Sequence, residues 1–304
     1  MQPEEHYVPV EDGFRLHAWV FRPEGVDGPV PAITMAHGFS GLKYRGLQRY
    51  AERFARAGFA VIVHDHRNFG LSGGDVRGDI DPWKQIADWR RVISYLENLP
   101  GVDAGCIGVW GTSYAGGHAM VLGATDSRIR AVVAQVPIIS GYEQGLRRVP
   151  PDARATQQEL FSEDERAQLR GEPPMTQLVV SLDPSVRAAY RSKDMMAFHD
   201  AFEIPEGVEH GDHVTLRSSR LAQMYEPGQW VSRIGPKPLL MVVAENDVIT
   251  PADLALAAYE RALEPKKLRI IRRGHFDAYL SEFEDSSSAA RDWFVQHLLT
   301  RTAP

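Results

Sequence analysis

The run Cys106-Ile107-Gly108-Val109-Trp110-Gly111-Thr112-Ser113-Tyr114-Ala115-Gly116-Gly117 constrains this chain more than any other stretch. It predicts a short buried strand that stops at a Gly-flanked serine and turns at once into a helix. Such a turn exposes the serine hydroxyl at the strand end and aims the next backbone N-H at a point where a carbonyl oxygen could gain charge. It tolerates only small neighbours, because strand and helix pass close to each other. Gly111 supplies one of them. Ala115 stands where the usual pattern has a second glycine, and Gly116 and Gly117 follow it. A serine in an ordinary strand-helix loop gives the same local match, so the rest of the chain has to decide.

Short apolar strands alternate with amphipathic helices on both sides of this run. Strands are expected at His6–Val10 and Phe14–Phe21, paired as a hairpin through Glu11-Asp12-Gly13. Further strands are expected at Pro31–Ala36, Ala60–Val63, Arg130–Pro137, Pro238–Ala244 and Lys267–Ile271. Helices are expected at Tyr50–Ala57, Pro82–Leu99, Tyr114–Ala124, Asp253–Leu263 and Ser286–Leu299. Wholly apolar short strands separated by helices indicate a mostly parallel central sheet with helices on both faces.

The rhythm breaks between Ile138 and Pro236. That segment is richer in charge and proline and reads as helices and loops, at Asp164–Arg170, Pro184–Phe202 and Leu216–Tyr225, with no strand of the internal kind. It is expected to be an inserted helical cap over 138–236, with 1–137 and 237–304 forming the core. Met175, Met195, Met196, Phe198, Phe202, Met224 and Trp230 lie within it. They either line a pocket or only dock the cap on the core.

Three reactive groups follow the ends of successive sheet strands: Ser113, Asp247 and His275. Ser, Asp, His is the chain order that an α/β-hydrolase fold places around its cleft. Strand ends on one edge of an open parallel sheet converge in space. From Tyr7 to Leu299 the joint pattern resembles the α/β-hydrolase superfamily. Gly111-Thr112-Ser113-Tyr114-Ala115-Gly116-Gly117 is similar to the elbow of the cocaine-esterase and Xaa-Pro dipeptidyl-peptidase group. Pro238–Pro251, Glu264-Pro265-Lys266-Lys267 and Gly274-His275-Phe276-Asp277-Ala278-Tyr279 resemble the polyketide-transferase and dienelactone-hydrolase-like group.

The resemblance implies Ser113 as nucleophile, His275 as general base and then acid, and Asp247 as the residue that orients His275. Glu245 is a rival for the acid, but the superfamily places its acid in the turn beyond the strand. The oxyanion hole implied is the backbone N-H of Tyr114 with that of Phe39, after His37-Gly38. Relatives in the cocaine-esterase group add a tyrosine hydroxyl. Phenylalanine at 39 removes that donor there, and sequence does not place Tyr44. His37 and the segment Asp65–Gly74, which resembles the superfamily's Asp-x-Arg-x-x-Gly-x-Ser stretch, are expected to be scaffolding. Asp277 is expected to be a solvated loop residue.

The function implied is a serine hydrolase of the carboxylesterase kind, cleaving an ester or related acyl bond of a small molecule through an acyl-serine. Transfer of the acyl group to another acceptor, peptide or amide cleavage, and a non-catalytic binding protein are the alternatives. No cofactor and no metal are expected: phosphate-loop and dinucleotide-binding glycine patterns are missing, and His210 and His213 form only a loose pair around Asp212. A net charge of -6 without a basic block argues against nucleic acid or an anionic membrane as partner. A homo-oligomer stays open. The single cysteine, Cys106, rules out an internal disulfide and reads as a small buried apolar residue. With no leader or anchor visible at the amino terminus, cytoplasmic residence is the expectation.

Overall fold

A computed structural model of the chain describes residues 1–300. In chain order the first elements are β1 (Glu4–Pro9), β2 (Arg15–Phe21), β3 (Val30–Ala36), α1 (Leu47–Arg56), β4 (Ala60–His64), α2 (Pro82–Glu97), β5 (Val102–Thr112), α3 (Tyr114–Thr125) and β6 (Ile129–Gln135). Next come α4 (Gly141–Arg148), α5 (Pro151–Leu169), β7 (Thr176–Val180), β8 (Ala188–Tyr190), α6 (Lys193–Asp200), β9 (His213–Thr215) and α7 (Leu216–Gln223). The chain then returns to β10 (Leu239–Ala244), α8 (Ala252–Arg261), β11 (Lys266–Ile271) and α9 (Phe283–Phe294), which runs on into one wide turn at Val295–Leu299. Residues 301–304 of the range expected for the core lie outside the described residues.

Eight strands make one sheet in the order β1-β2-β4-β3-β5-β6-β10-β11. β1 and β2 form the expected antiparallel hairpin, and β2 meets β4 antiparallel. From β4 across to β11 every pair is parallel. All residues of β4 and β10 are buried, which explains their unbroken apolar runs: helices cover both faces and neither face meets water. β11, at the edge, keeps only Ile271 buried.

Local chemistry fixes the helix ends. Asp81 caps α2 by accepting from the N-H groups of Trp83 and Lys84, and Pro82 presets the first turn. Trp89 of α2 is fully buried and donates its indole N-H to Thr34 Oγ1 at 2.8 Å. α3 is buried along nearly its whole length, which its small residues permit. A β-carbon on Gly117 would lie 2.7 Å from Pro227 Cγ, so nothing larger than glycine fits there.

The segment between β6 and β10 departs from expectation. It is not all helix and loop: β7, β8 and β9 form a separate three-stranded sheet in the order β8-β7-β9. Strands of three to five residues are too short to show alternation in a sequence. Pro184–Phe202 does not form one helix. Its first part is turn and strand, because Asp183 accepts from Ser185 N-H and the Arg191 guanidinium binds the carbonyls of Ser181, Asp183 and Val186. Only Lys193–Asp200 is helical there. α5 is longer than Asp164–Arg170 suggested. It buries only Phe161, Asp164 and Ala167, so most of it lacks an apolar stripe to betray it.

Candidate active site

Sterics hold Ser113 in place. Its φ of 56° and ψ of -117° put it in a region that non-glycine residues rarely occupy. Short bonds enforce this conformation. Ser113 N-H donates to Gln135 O at 2.8 Å, and Ser113 O accepts from Gly116 and Ile138 N-H, each at 3.0 Å. A β-carbon on Gly111 would sit 2.0 Å from Ala115 O, and one on Gly38 would sit 2.8 Å from Ser113 Cβ. Those two positions require glycine. Ala115 is buried without conflict, so the elbow forms with alanine in place of the second glycine.

The loops after β10 and β11 converge on this serine. His275 Nε2 lies 3.0 Å from Ser113 Oγ, and His275 Nδ1 lies 2.7 Å from Asp247 Oδ2. With the Nδ1 proton donated to Asp247, Nε2 turns its lone pair to the serine hydroxyl. Asp247 is 7% exposed, and its Oδ1 accepts from Ile249 N-H at 2.8 Å and Thr250 N-H at 2.7 Å. Glu245 is exposed, two residues earlier, where the strand has turned its side chain to solvent.

Sequence reasoning missed two residues around this cluster. Thr250 Oγ1 lies 2.9 Å from Asp247 Oδ2, 3.1 Å from His275 Nδ1 and 3.0 Å from Val136 O, tying the residue just past β6, the acid and the imidazole together. The available signal was a hydroxyl residue three positions after an aspartate, the spacing of an Asx or ST turn. Asp277 is no merely solvated residue. Its Oδ2 accepts from Gly274 N-H at 3.0 Å and its Oδ1 from Ser281 Oγ at 2.6 Å, which closes the 3₁₀ turn that holds His275.

The two residues whose N-H groups the resemblance implies for the oxyanion hole lie beside this cluster: Tyr114 follows Ser113, and Phe39 lines the same chamber as Ser113 and His275. The N-H of Tyr114 opens α3, where the first N-H groups have no acceptor inside the helix. That of Phe39 follows Gly38, whose carbonyl takes the turn-closing bond from Gly41 instead. The Phe39 ring packs edge-on to Tyr114 and Tyr190. Tyr44 points away, edge-on to Trp19, and burial pushes its hydroxyl up to about 12.

The supporting loops are bound internally. His37 Nδ1 donates to Gly38 O at 2.9 Å, and Nε2 accepts from His66 N-H at 3.0 Å, so both ring nitrogens are occupied. Burial lowers the His37 pKa, which favours this neutral form. Asp65 pairs with the Lys43 ammonium and accepts from Lys43 N-H at 2.7 Å, all fully buried. Arg67 grips Asp88 through Nε at 2.6 Å and Nη2 at 2.7 Å. Gly70 has φ of 53°, and a β-carbon there would strike the Asp65 carboxylate at 2.5 Å.

The chamber beside Ser113 admits about 50 Å³ and is lined by Leu42, Arg45, Leu47 and Phe276 from the core and by Tyr190, Met195, Phe198 and His199 from the inserted segment. Of the seven apolar residues noted in that segment, Met195 and Phe198 reach this lining, whereas Met196 and Met224 are exposed. Burial, with Arg45 adding to it and Asp212 opposing, brings His199 down to about 4. Tyr190 and Ile249 also border a larger outer cleft of about 1000 Å³. Among the described residues no group of three or more His, Cys, Asp or Glu is placed to hold a metal ion. No helix among them is long and apolar enough to cross a membrane.

The chain is similar to known proteins along most of its length. The chain is 30% identical to the quorum-quenching protein AidA of Acinetobacter baumannii, over 88% of this chain and 86% of that one. It is 29% identical to the polyketide transferase grgF of a Penicillium species, over 94% of each chain. The crystal structure of that α/β hydrolase superposes with a TM-score of 0.85, 26% identity and coverage of 98% of this chain and 100% of that one. A thiohydrolase of Eupenicillium brefeldianum is 28% identical over 88% of this chain and 85% of its own length. The family model described as X-Pro dipeptidyl-peptidase (S15 family) matches residues 12–182. With more than half its length matched and the strand order of its sheet in view, this chain belongs to the S15 family of α/β hydrolases.

Proposed function

We propose that this protein is a serine hydrolase that cleaves a small-molecule carboxylic ester, or a related acyl bond such as a thioester, through an acyl-Ser113 intermediate. The observation that carries this reading is the unbroken chain Ser113 Oγ, His275 Nε2, His275 Nδ1, Asp247 Oδ2, with links of 3.0 and 2.7 Å. Ser113 Oγ attacks the acyl carbon as its proton passes to His275 Nε2. The carbonyl oxygen gains charge against the N-H groups of Tyr114 and Phe39. The leaving group takes the proton from His275 and departs. Water, activated by the same imidazole, then attacks the acyl carbon and releases acid and free serine. Asp247 holds the imidazole and stabilises its charged form, with Thr250 fixing Asp247 in turn.

The segment 138–236 acts in this reading as a cap that closes the acyl chamber. Relatives named polyketide transferase support a second reading, in which an alcohol or amine replaces water as acceptor. The outer cleft bordering Tyr190 gives such an acceptor room to approach. Dipeptide release is less well supported, because no Asp or Glu lines the chamber to receive a peptide's amino terminus.

A panel of p-nitrophenyl esters and acyl thioesters, with Ser113→Ala as control, tests the proposal. Turnover by the wild type and a loss of at least about a thousandfold in the variant is the expected result. Equal rates in both proteins, with no labelling of Ser113 by a fluorophosphonate, would overturn it.

A further inference from the structure

We propose that Arg45 is a substrate-binding residue that receives a carboxylate carried by the acyl group, so that the chamber beside Ser113 prefers half-esters, or half-thioesters, of short dicarboxylic acids. The inference rests on the reading of Ser113 as nucleophile and adds the substrate class.

Two buried cations stand two residues apart on the loop after β3, and they are treated differently. Lys43 is fully buried, pairs with Asp65, and lies 4.8 and 4.4 Å from the ring centroids of Trp19 and Tyr44. Its charge is matched inside the protein. Arg45 is 3% exposed, yet the only hydrogen bond of its side chain among the described residues runs from Nη2 to His210 O at 2.9 Å. Asp212 approaches Nη2 at 3.8 Å, and its carboxylate is 54% exposed. Nε and Nη1 are buried and have no hydrogen-bond partner among the described residues. A guanidinium stays protonated, and leaving its donors buried and unpaired is costly.

Docking the inserted segment explains one arm of Arg45 and leaves the other two nitrogens unused. The chamber explains them. Arg45 lines it together with Ser113, and no carboxylate does. His37 has both nitrogens engaged, and His199, at about 4, is neutral near pH 7. The chamber is thus apolar along Leu42, Leu47, Met195, Phe198 and Phe276, with one permanent positive charge. On its outer side Arg45 also borders a surface cleft with Asp200, Glu203 and Asp212, none of which hydrogen-bonds to it. An acyl group attached to Ser113 must lie in the chamber that contains the serine. A short carbon chain ending in a carboxylate matches both its walls and its cation.

The test compares monobenzyl half-esters of succinic, glutaric and adipic acids with benzyl esters of the uncharged monocarboxylic acids of equal length. In the wild type at least one half-ester should exceed its neutral partner in kcat/KM. In Arg45→Met that charged-to-neutral ratio should fall at least about thirtyfold, the effect of losing one partner of a desolvated charge pair. Arg45→Lys should restore part of it. Fluorophosphonate labelling of Ser113 in each variant shows that the site is folded. A ratio that is the same in wild type and Arg45→Met overturns the proposal. Binding gives a readout that needs no turnover: glutarate at millimolar concentration should raise the Tm of the wild type but not of Arg45→Met. A Tm rise that needs Arg45 in a protein that hydrolyses no ester supports the carboxylate site and counts against hydrolysis. A Tm response equal in both proteins, or absent from both, overturns the carboxylate site.

Discussion

The strand-end loops of the core and the inserted segment 138–236 meet around Ser113, and they are built on opposite terms. In the core loops the carboxylates that hold the strand ends are bound inside the protein. Asp247 accepts two N-H groups, a hydroxyl and an imidazole, and Asp65 holds Lys43 by side chain and backbone. Bonds of this kind, shielded from water, leave each loop one arrangement. The inserted segment instead carries most of its charges outside, in pairs such as Arg166 with Glu159 and Arg170 with Glu163, and leaves Leu169 90% exposed. Exposed pairs contribute little, up to about 1 kcal/mol each. It gives the chamber a few apolar side chains, a methionine among them, which repack at low cost. The difference teaches a division of labour. On the proposed function, the strand ends would set the geometry of the reaction, and the insertion what fits beside it.

The largest effect expected is on the core side. His275→Ala should lower kcat on any accepted ester by about a thousandfold or more while the fold persists, checked by steady-state rates and Tm. A small loss would mean that the core loops do not set the reaction. Next, Asp65→Asn should strand the buried Lys43 ammonium and cost about 3–5 kcal/mol of stability, read from denaturant unfolding. Neutral behaviour would show that the loop is not locked by this pair.

On the other side of the comparison, Phe198→Ala should shift the preferred acyl length upward and change relative kcat/KM between short and long chains about tenfold. Fluorophosphonate labelling of Ser113 should persist. If labelling failed while the fold was retained, the insertion would be part of the catalytic geometry and the division would break down. Thr250→Val sharpens the core side further. It removes a hydroxyl whose single proton is within reach of both Asp247 Oδ2 and Val136 O, so a loss of about tenfold in kcat is expected.

The last effect concerns pH and is spread over several histidines. Burial lowers His118 to about 3 and holds His64 and His66 well below the usual histidine value, with neighbouring imidazoles adding to it. Each is neutral in the folded chain and titrates near 6.5 in the unfolded one. The unfolded state therefore binds more protons below pH 6.5, and stability falls as pH drops from there toward 4. Each such histidine costs up to about 1.4 kcal/mol per pH unit. Denaturant unfolding at pH 7 and pH 5 measures the slope, and equal stability at both would refute the neutral assignment.

Much of the fold was legible in sequence because its signals are local. The buried strands β4 and β10 are unbroken apolar runs, Pro82 marks the start of α2, and Gly58, at φ of 103°, ends α1. The insertion was the least legible. β7, β8 and β9 are too short to alternate, and Arg191 overrides the helical reading of Pro184–Phe202 by binding three carbonyls.

The sequence by itself determined the turn at Ser113, since only Gly111 clears the Ala115 carbonyl, and it determined the order in which Ser113, Asp247 and His275 leave the sheet. Short-range sterics and strand periodicity suffice for both. Only the tertiary structure decided that Thr250 braces Asp247, that Asp277 closes the His275 turn, and that Lys43 is matched by a buried carboxylate while Arg45 keeps Nε and Nη1 without a hydrogen-bond partner among the described residues. A charge on a loop has no pattern of its own. Whether it finds a partner depends on groups 22 and 165 residues away, and chain packing alone brings those within reach.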